Sequence, residues 1–230
     1  MRQSEPHGGA VTSPHLLARV RATRPTVFVR RMADVVTAAV GAGVLVACGV
    51  VASDGKVGAA ERAVFRAIND LPGALYPLVW PFMQLGNIVI GPLVALVAAA
   101  LARYRLAVAA LGVTVAKLVG ERIVKAAVER QRPAAVIHDV TTRGDAPLRG
   151  QSFVSGHLVL VVALAVLVTP YLAGRWKAVP WVLAVIVGFG RIYVGAHNPL
   201  DVLGGAGLGA LIGGLANLAV GVPRTPTADR

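Results

Sequence analysis

The chain alternates long apolar blocks with short charged punctuation. Apolar runs occupy roughly 33–52, 83–102, 106–126, 156–173, 179–195 and 200–221. Each is near the ~20 residues needed to cross a bilayer, so the pattern predicts an all-α, polytopic helical bundle of about six transmembrane helices. The third run is the least apolar: Lys117, Glu121 and Arg122 fall in its second half, with Lys117 and Glu121 spaced to pair on one helical face. Between the first two runs the pattern changes. Ala60, Val64, Ile68 and Leu71 recur at helical spacing among Glu61, Arg62 and Arg66, which predicts an amphipathic helix lying on the membrane surface. In the last run Gly205, Gly209 and Gly213 make a small-xxx-small face for close helix packing.

Three domains of behaviour follow. Residues 1–32 hold six arginines against one acid and three prolines, and are expected to be a mobile, basic cytoplasmic leader near anionic lipid. Residues 33–222 form the membrane domain, and 223–230 a cytoplasmic tail. Leu45-Val46-Ala47-Cys48 has the look of a lipoprotein cleavage box, but the polar leader is long for a signal peptide, and the segment reads as a retained helix.

Composition agrees with a membrane protein. Of 230 residues 56% are hydrophobic and 15% charged, against about 25% charged in soluble domains. The net charge of +12 first suggests nucleic acid. The basic residues sit at the ends of apolar blocks, however, where a bilayer protein concentrates them, so no nucleic-acid partner is expected. With Cys48 the only cysteine, an internal disulfide is excluded. Basic residues in 1–32, 103–105, 174–178 and the tail fall on one side if six spans alternate, which makes that side the cytoplasm and puts both termini there. Residues 127–153 then lie outside the cell, in a multi-pass plasma-membrane protein.

Three polar clusters collect at span ends on that outer side: Lys125 to Arg132-Pro133, Ser155-Gly156-His157, and Arg191 to His197 to Asp201. Each residue has a plain structural reading. Lys125 can pair with Glu121 or Glu129, Arg132 can snorkel, and Ser155 can merely cap a helix. His157 can be interfacial, and Asp201 can be a favourable charge in a first turn begun by Asn198 and Pro199. Yet a capped helix start also presents free N–H groups to a phosphate. Charged groups gathered at one depth of a bilayer need a reason, and an anionic substrate supplies one.

The spacing Lys125-x6-Arg132-Pro133, Ser155-Gly156-His157, Arg191-x5-His197-x3-Asp201 resembles the three-part motif of the type-2 phosphatidic acid phosphatase superfamily, which includes the vanadium haloperoxidases. The resemblance covers 125–201 directly. It implies a metal-independent membrane lipid phosphatase without a cofactor. In that scheme His197 attacks phosphorus to give a phosphohistidine, Asp201 orients it, and His157 is the acid and then the base. Lys125, Arg132, Ser155, Gly156 and Arg191 bind the phosphoryl oxygens. Two positions depart from the family: Val154 replaces a proline, and Gly190 replaces a serine whose hydroxyl would touch phosphate.

Implied partners are a lipid phosphate substrate and membrane lipids, with an oligomer left open. Arg130, Arg143 and Arg149 offer charge for a second phosphate, making polyprenyl diphosphate the first expectation and phosphatidate-type lipids the next. A phosphotransferase on the same scaffold, or a lipid-phosphate transporter or binding protein, are the alternatives.

Overall fold

Helix α1 starts where the chain leaves extended backbone at Arg31 and runs Met32–Ala52. Asp34 lies in its first turn, where negative charge suits the helix dipole. At 1.5 Å per residue its 21 residues span about 32 Å, enough for a bilayer core. The computed structural model describes residues 27–144 and 146–224; the leader expected over 1–32 falls mostly outside them, as does the end of the tail.

The remaining helices follow in order: α2 Ala59–Asn69, α3 Tyr76–Met83, α4 Ile90–Ala100, α5 Tyr104–Ala127, α6 Pro133–Val136, α7 Gly156–Val168, α8 Val179–Tyr193 and α9 Pro199–Val220. Short strands β1 (Phe28–Val29) and β2 (Val222–Pro223) pair antiparallel and tie the start of α1 to the end of α9.

Helices occupy all six expected places, but they are not equal as spans. By length and composition α1, α9 and α8 with its preceding turn can cross a membrane. A fourth crossing is available if the segment Gly73–Gly86 and α4, bent by 67°, count as one. Helix α5 is long enough but carries too many charges, and α7 with its final turn is apolar but short. The span expected over 83–102 takes in the turn Gln84–Gly86 before α4, where Gln84, Gly86 and Asn87 interrupt the apolar pattern.

Helix α9 is the hub. Its glycines serve two neighbours. A Cβ at Gly205, Gly209 or Gly213 would fall 2.6, 2.6 and 2.9 Å from α7 or its N-cap carbonyls Ser155, Val159 and Ala163. The expected packing face is therefore real, and it meets α7. On another side Gly207 and Gly214 abut α1, whose Gly41 in turn leaves no room for a Cβ. The α1–α9 contact also carries a buried polar clasp: Asn217 Nδ2 donates to Asp34 Oδ1 at 2.9 Å, and Arg31 donates to both Asp34 oxygens at 2.7 and 2.9 Å.

Helix α2 is amphipathic as expected, but its inward stripe differs. Ile68 and Leu71 pack half-buried against the core, but Ala60 and Val64 are exposed, while Phe65 and Asn69 are fully buried and the Glu61 side chain nearly so. The helix packs on α8 and α9. It is a cap over one end of the bundle, because that stripe finds polar partners there.

Those partners organise the 127–153 loop. Asn69 exchanges hydrogen bonds with Thr141 and donates to the Tyr193 carbonyl, and Arg66 donates to the carbonyls of His138 and Asp139. Arg143 donates to the carbonyls of Asn69, Leu71 and Tyr193 and lies 4.1 Å over the Tyr193 ring.

At the far end of the bundle, residues from 103–105, 171–177 and 223–224 line one common cavity. The basic segments expected on one side of the membrane do share one end, and the three motif clusters share the other.

A buried histidine and carboxylate cluster

The site forms where helices begin. Ser155 occupies the N-cap of α7 and Asn198 the N-cap of α9, both in extended backbone. The two starts are joined directly, since the Ser155 N–H donates to the Asp201 carbonyl at 2.9 Å. Pro199 at the first helical position needs no donor there. The Asp201 carboxylate reaches back to accept from the Asn198 N–H at 2.7 Å, one half of a capping box.

Asp201 is completely buried, and three side chains converge on it. Ser152 Oγ donates to Oδ2 at 2.5 Å and Arg130 Nη1 to Oδ1 at 3.2 Å. His197 Nδ1 stands 3.8 Å from Oδ2, a contact longer than a hydrogen bond. Arg130 is itself fully buried and clamps Glu61 with both terminal nitrogens, at 2.5 and 3.0 Å. Burial alone would draw its charge off, but the Glu61 and Asp201 carboxylates outweigh that and hold the guanidinium above its usual value. Glu61 also accepts from the Leu200 N–H at 3.0 Å, so α2 is bound to the first turn of α9.

His197 sits in the tight loop between α8 and α9. The Arg191 carbonyl accepts from the N–H groups of Ala196 and His197, closing that loop, and Gly195 there has φ of 77°, a left-handed conformation suited to glycine. The imidazole is 3% exposed. Burial pushes it down to about 4; the facing Asp201 carboxylate opposes this, and Arg191 and Arg132 add to it. At neutral pH His197 is therefore uncharged, with Nδ1 toward Asp201 and Nε2 left for other work.

His157 lies in the first turn of α7. The turn after α3 makes room for it: a Cβ at Gly86 would stand 2.5 Å from its Cβ and ring Cδ2. Arg191, His197, Lys117 and Glu121 are all near enough to act on its charge.

Arg132 is buried, with Nη1 on the Ala196 carbonyl at 2.8 Å and Nε on the Arg149 carbonyl at 3.0 Å. Burial lowers its pKa, against Asp201 and Glu121; an arginine stays charged regardless. Lys125 and Lys117 both hold Glu121, each at 2.7 Å. That carboxylate crowds Gly156, where any side chain would collide with it. The bland reading of Lys125, a helical ion pair, is therefore present in the structure alongside its place at the cluster.

Buried polar atoms that lack a hydrogen-bond partner gather here: Ser155 Oγ, His197 Nδ1 and the Asn198 amide nitrogen. Such atoms cost stability unless something else satisfies them.

Both departures from the family pattern have structural reasons. Val154 is buried in an apolar cluster with Phe153, Cys48, Ala52 and Leu208. At Gly190 a Cβ would come within 2.7 Å of Met83 and 2.9 Å of Val79, so close packing of α8 on α3 favours glycine. This packing accounts for glycine at 190, which offers no side-chain hydroxyl.

Two of the three spare cations expected for a second phosphate are occupied. Arg130 serves Glu61 and Asp201, and Arg143 pins the loop to α2 and α8. Of the three, Arg149 alone is left exposed. Sequence reasoning also missed Glu61, Ser152 and Gly86. Glu61 had a signal, an acid on an amphipathic helix facing a basic loop; the other two had none.

Beside the cluster an apolar groove of about 510 Å³ runs between α1, α7, α8 and α9. Its wall includes Leu158, Ile192 and Val202, each the chain neighbour of His157, Arg191 or Asp201, and continues through Ala206, Val44 and Phe189.

The sequence profile of the PAP2 superfamily matches residues 100–222. Among curated protein sequences none matches. Among solved structures, Aquifex aeolicus LpxE is similar at 28% identity and a TM-score of 0.55, over 67% of this chain and 92% of that one. The first transmembrane PAP2-type phosphatidylglycerolphosphate phosphatase from Bacillus subtilis is similar at 22% identity and a TM-score of 0.62, over 77% and 94%.

Proposed function

Since the chain belongs to the PAP2 superfamily, we propose that it is an integral membrane lipid phosphatase working through a phosphohistidine. One observation carries this reading: His157, His197, Asp201 and the cations converge on two joined helix starts, where buried Ser155 Oγ lacks a partner.

The chemistry follows from the residues. A phosphate lodged between the starts of α7 and α9 takes donors from Ser155, from the free N–H groups at the α7 start, and from Arg132 and Arg191. Lys125 adds charge at the rim. His197 Nε2, neutral because its imidazole is buried, attacks phosphorus. The ester bond breaks, and the leaving oxygen takes a proton from His157. Asp201 stabilises the cationic phosphoimidazole. Neutral His157 then removes a proton from water, whose oxygen attacks phosphorus and frees His197. No step calls for a metal, and most of the rate comes from positioning and electrostatics.

The groove supports a lipid substrate. It begins at the neighbours of the reacting residues and is lined almost wholly by apolar side chains, so it suits the substrate's hydrocarbon chain. With Arg130 and Arg143 occupied, a lipid phosphomonoester of the phosphatidate type displaces polyprenyl diphosphate as first choice. We read this end as outside the cell and both termini as cytoplasmic, a reading supported by the charges of the short loops.

Purified protein should release inorganic phosphate from long-chain phosphatidate in excess chelator, faster than from polyprenyl diphosphate at equal surface concentration. Phosphate appearing instead as a new ester with an alcohol would make it a transferase. Release from neither lipid would overturn the reading.

A further inference from the structure

The end of the bundle opposite the histidine cluster holds a cavity of about 800 Å³. Four distant segments build it: Phe28 before α1, Arg103 and Arg105 at the α4–α5 junction, Tyr171 and Lys177 between α7 and α8, and Arg224 after α9. Among the described residues no carboxylate lines it, and none of its four cations forms an ion pair with an acid. Two of the guanidiniums are already positioned. Arg105 donates to the Val220 carbonyl at 2.7 Å and lies 4.4 Å over the Phe28 ring, and Arg103 lies 5.3 Å over Tyr171. Four like charges around one space repel each other unless an anion enters.

Depth identifies the kind of anion. Helices α5 and α9 run from this cavity to the catalytic end, and their 24 and 22 residues correspond to about 36 and 33 Å. That is about one bilayer core. The cavity therefore lies level with the headgroups of the leaflet opposite the catalytic cluster, and its walls mix cations with aromatic and proline surface. We propose that it binds the headgroup of an anionic phospholipid, a phosphate diester flanked by glycerol and chain, as a site separate from the catalytic one. A bound lipid would bridge the β1–β2 strap, the start of α5 and the turn before α8, and so brace the end of the bundle that the reaction does not use.

Phosphatidylglycerol is the probe, because it has no terminal phosphate to be cleaved. Lipid retention by the delipidated, full-length protein is measured by native mass spectrometry during titration with phosphatidylglycerol, phosphatidylcholine or inorganic phosphate. Wild type should hold phosphatidylglycerol more tightly than phosphatidylcholine. Arg103→Gln and Lys177→Gln should each weaken it about fivefold, and together about 25-fold, as one surface cation contributes about that much toward anionic lipid. Arg175→Gln, two residues from Lys177 but outside the cavity wall, should change it less than twofold. Thermal midpoints in phosphatidylcholine and phosphatidate hydrolysis should be kept; if Arg103→Gln fails to fold, Lys177→Gln against Arg175→Gln decides alone. Equal retention of the two lipids would overturn the proposal. So would equal effects at 175 and 177, which mean diffuse surface charge, or displacement by inorganic phosphate at matched concentration, which means a free-anion site.

Discussion

Replacing Arg130 with glutamine probes the link between α2 and Asp201, the proposed catalytic carboxylate. Its guanidinium is fully buried, holds Glu61 at 2.5 and 3.0 Å and Asp201 at 3.2 Å, and donates to the Lys56 carbonyl at 2.9 Å. A neutral amide leaves two buried carboxylates facing each other without a cation. Removing one partner of a buried pair costs about 3–5 kcal/mol, and the bidentate geometry argues for the upper part of that range. Glu61→Gln is milder: Arg130 keeps Asp201, and the loss is that of a charge-assisted hydrogen bond, about 1.5–3 kcal/mol. The double variant should be less damaged than the sum of the singles, because each single leaves a charge that the other removes. Thermal unfolding in detergent gives stability, and kcat and KM on phosphatidate give function. In Glu61→Gln, kcat should fall with little change in KM, since Arg130 loses the charged anchor that positions it against Asp201 while the phosphate cations remain. Additive losses in the double variant, or an Arg130→Gln protein as stable as wild type, would refute the buried network.

Other expectations follow from the same geometry. Ala206→Leu narrows the apolar groove and should raise KM several-fold for long-chain lipid phosphates while sparing a short water-soluble phosphate ester; equal effects on both would remove the groove from substrate binding. Because burial holds His197 near 4 rather than 6.5, its protonation should cut kcat/KM only as pH falls through about 4. With rates corrected for substrate ionisation, half-loss near 6.5 assigned to His197 would contradict that. A cysteine at exposed His138, with Cys48 removed, should react with an impermeant thiol reagent in intact cells, and labelling only after lysis would invert the topology.

The positions of the motif residues were readable because spacing and capping signals are local. Ser155, His157, His197 and Asp201 lie at those helix starts. The glycine face of α9 was equally local, a four-residue period that means close packing whatever the partner. What failed was partnership across the chain. Nothing near Arg130 in sequence says that Glu61, 69 residues earlier, will take its charge. Arg143 looked like spare charge because its acceptors are backbone carbonyls, which leave no mark in composition. Gly190 reads in sequence as a lost hydroxyl, and only the packed structure shows Met83 and Val79 filling the space a side chain would need. The bend before α4 did carry a local mark, Gln84, Gly86 and Asn87, but three such residues at the edge of a long apolar run do not by themselves separate a broken span from a straight one.

The phosphoenzyme tests the mechanism most directly. Protein mixed with ³²P-labelled phosphatidate and quenched in alkali should carry bound label that is stable to base and released by acid, the behaviour of a phosphoramidate. His157→Ala should accumulate it, since water activation falls by about 10²–10⁴. His197→Ala, shown to be folded by its thermal midpoint, should carry none and release no phosphate. Label retained in His197→Ala, or turnover close to wild type, would contradict the assignment of His197 as the nucleophile.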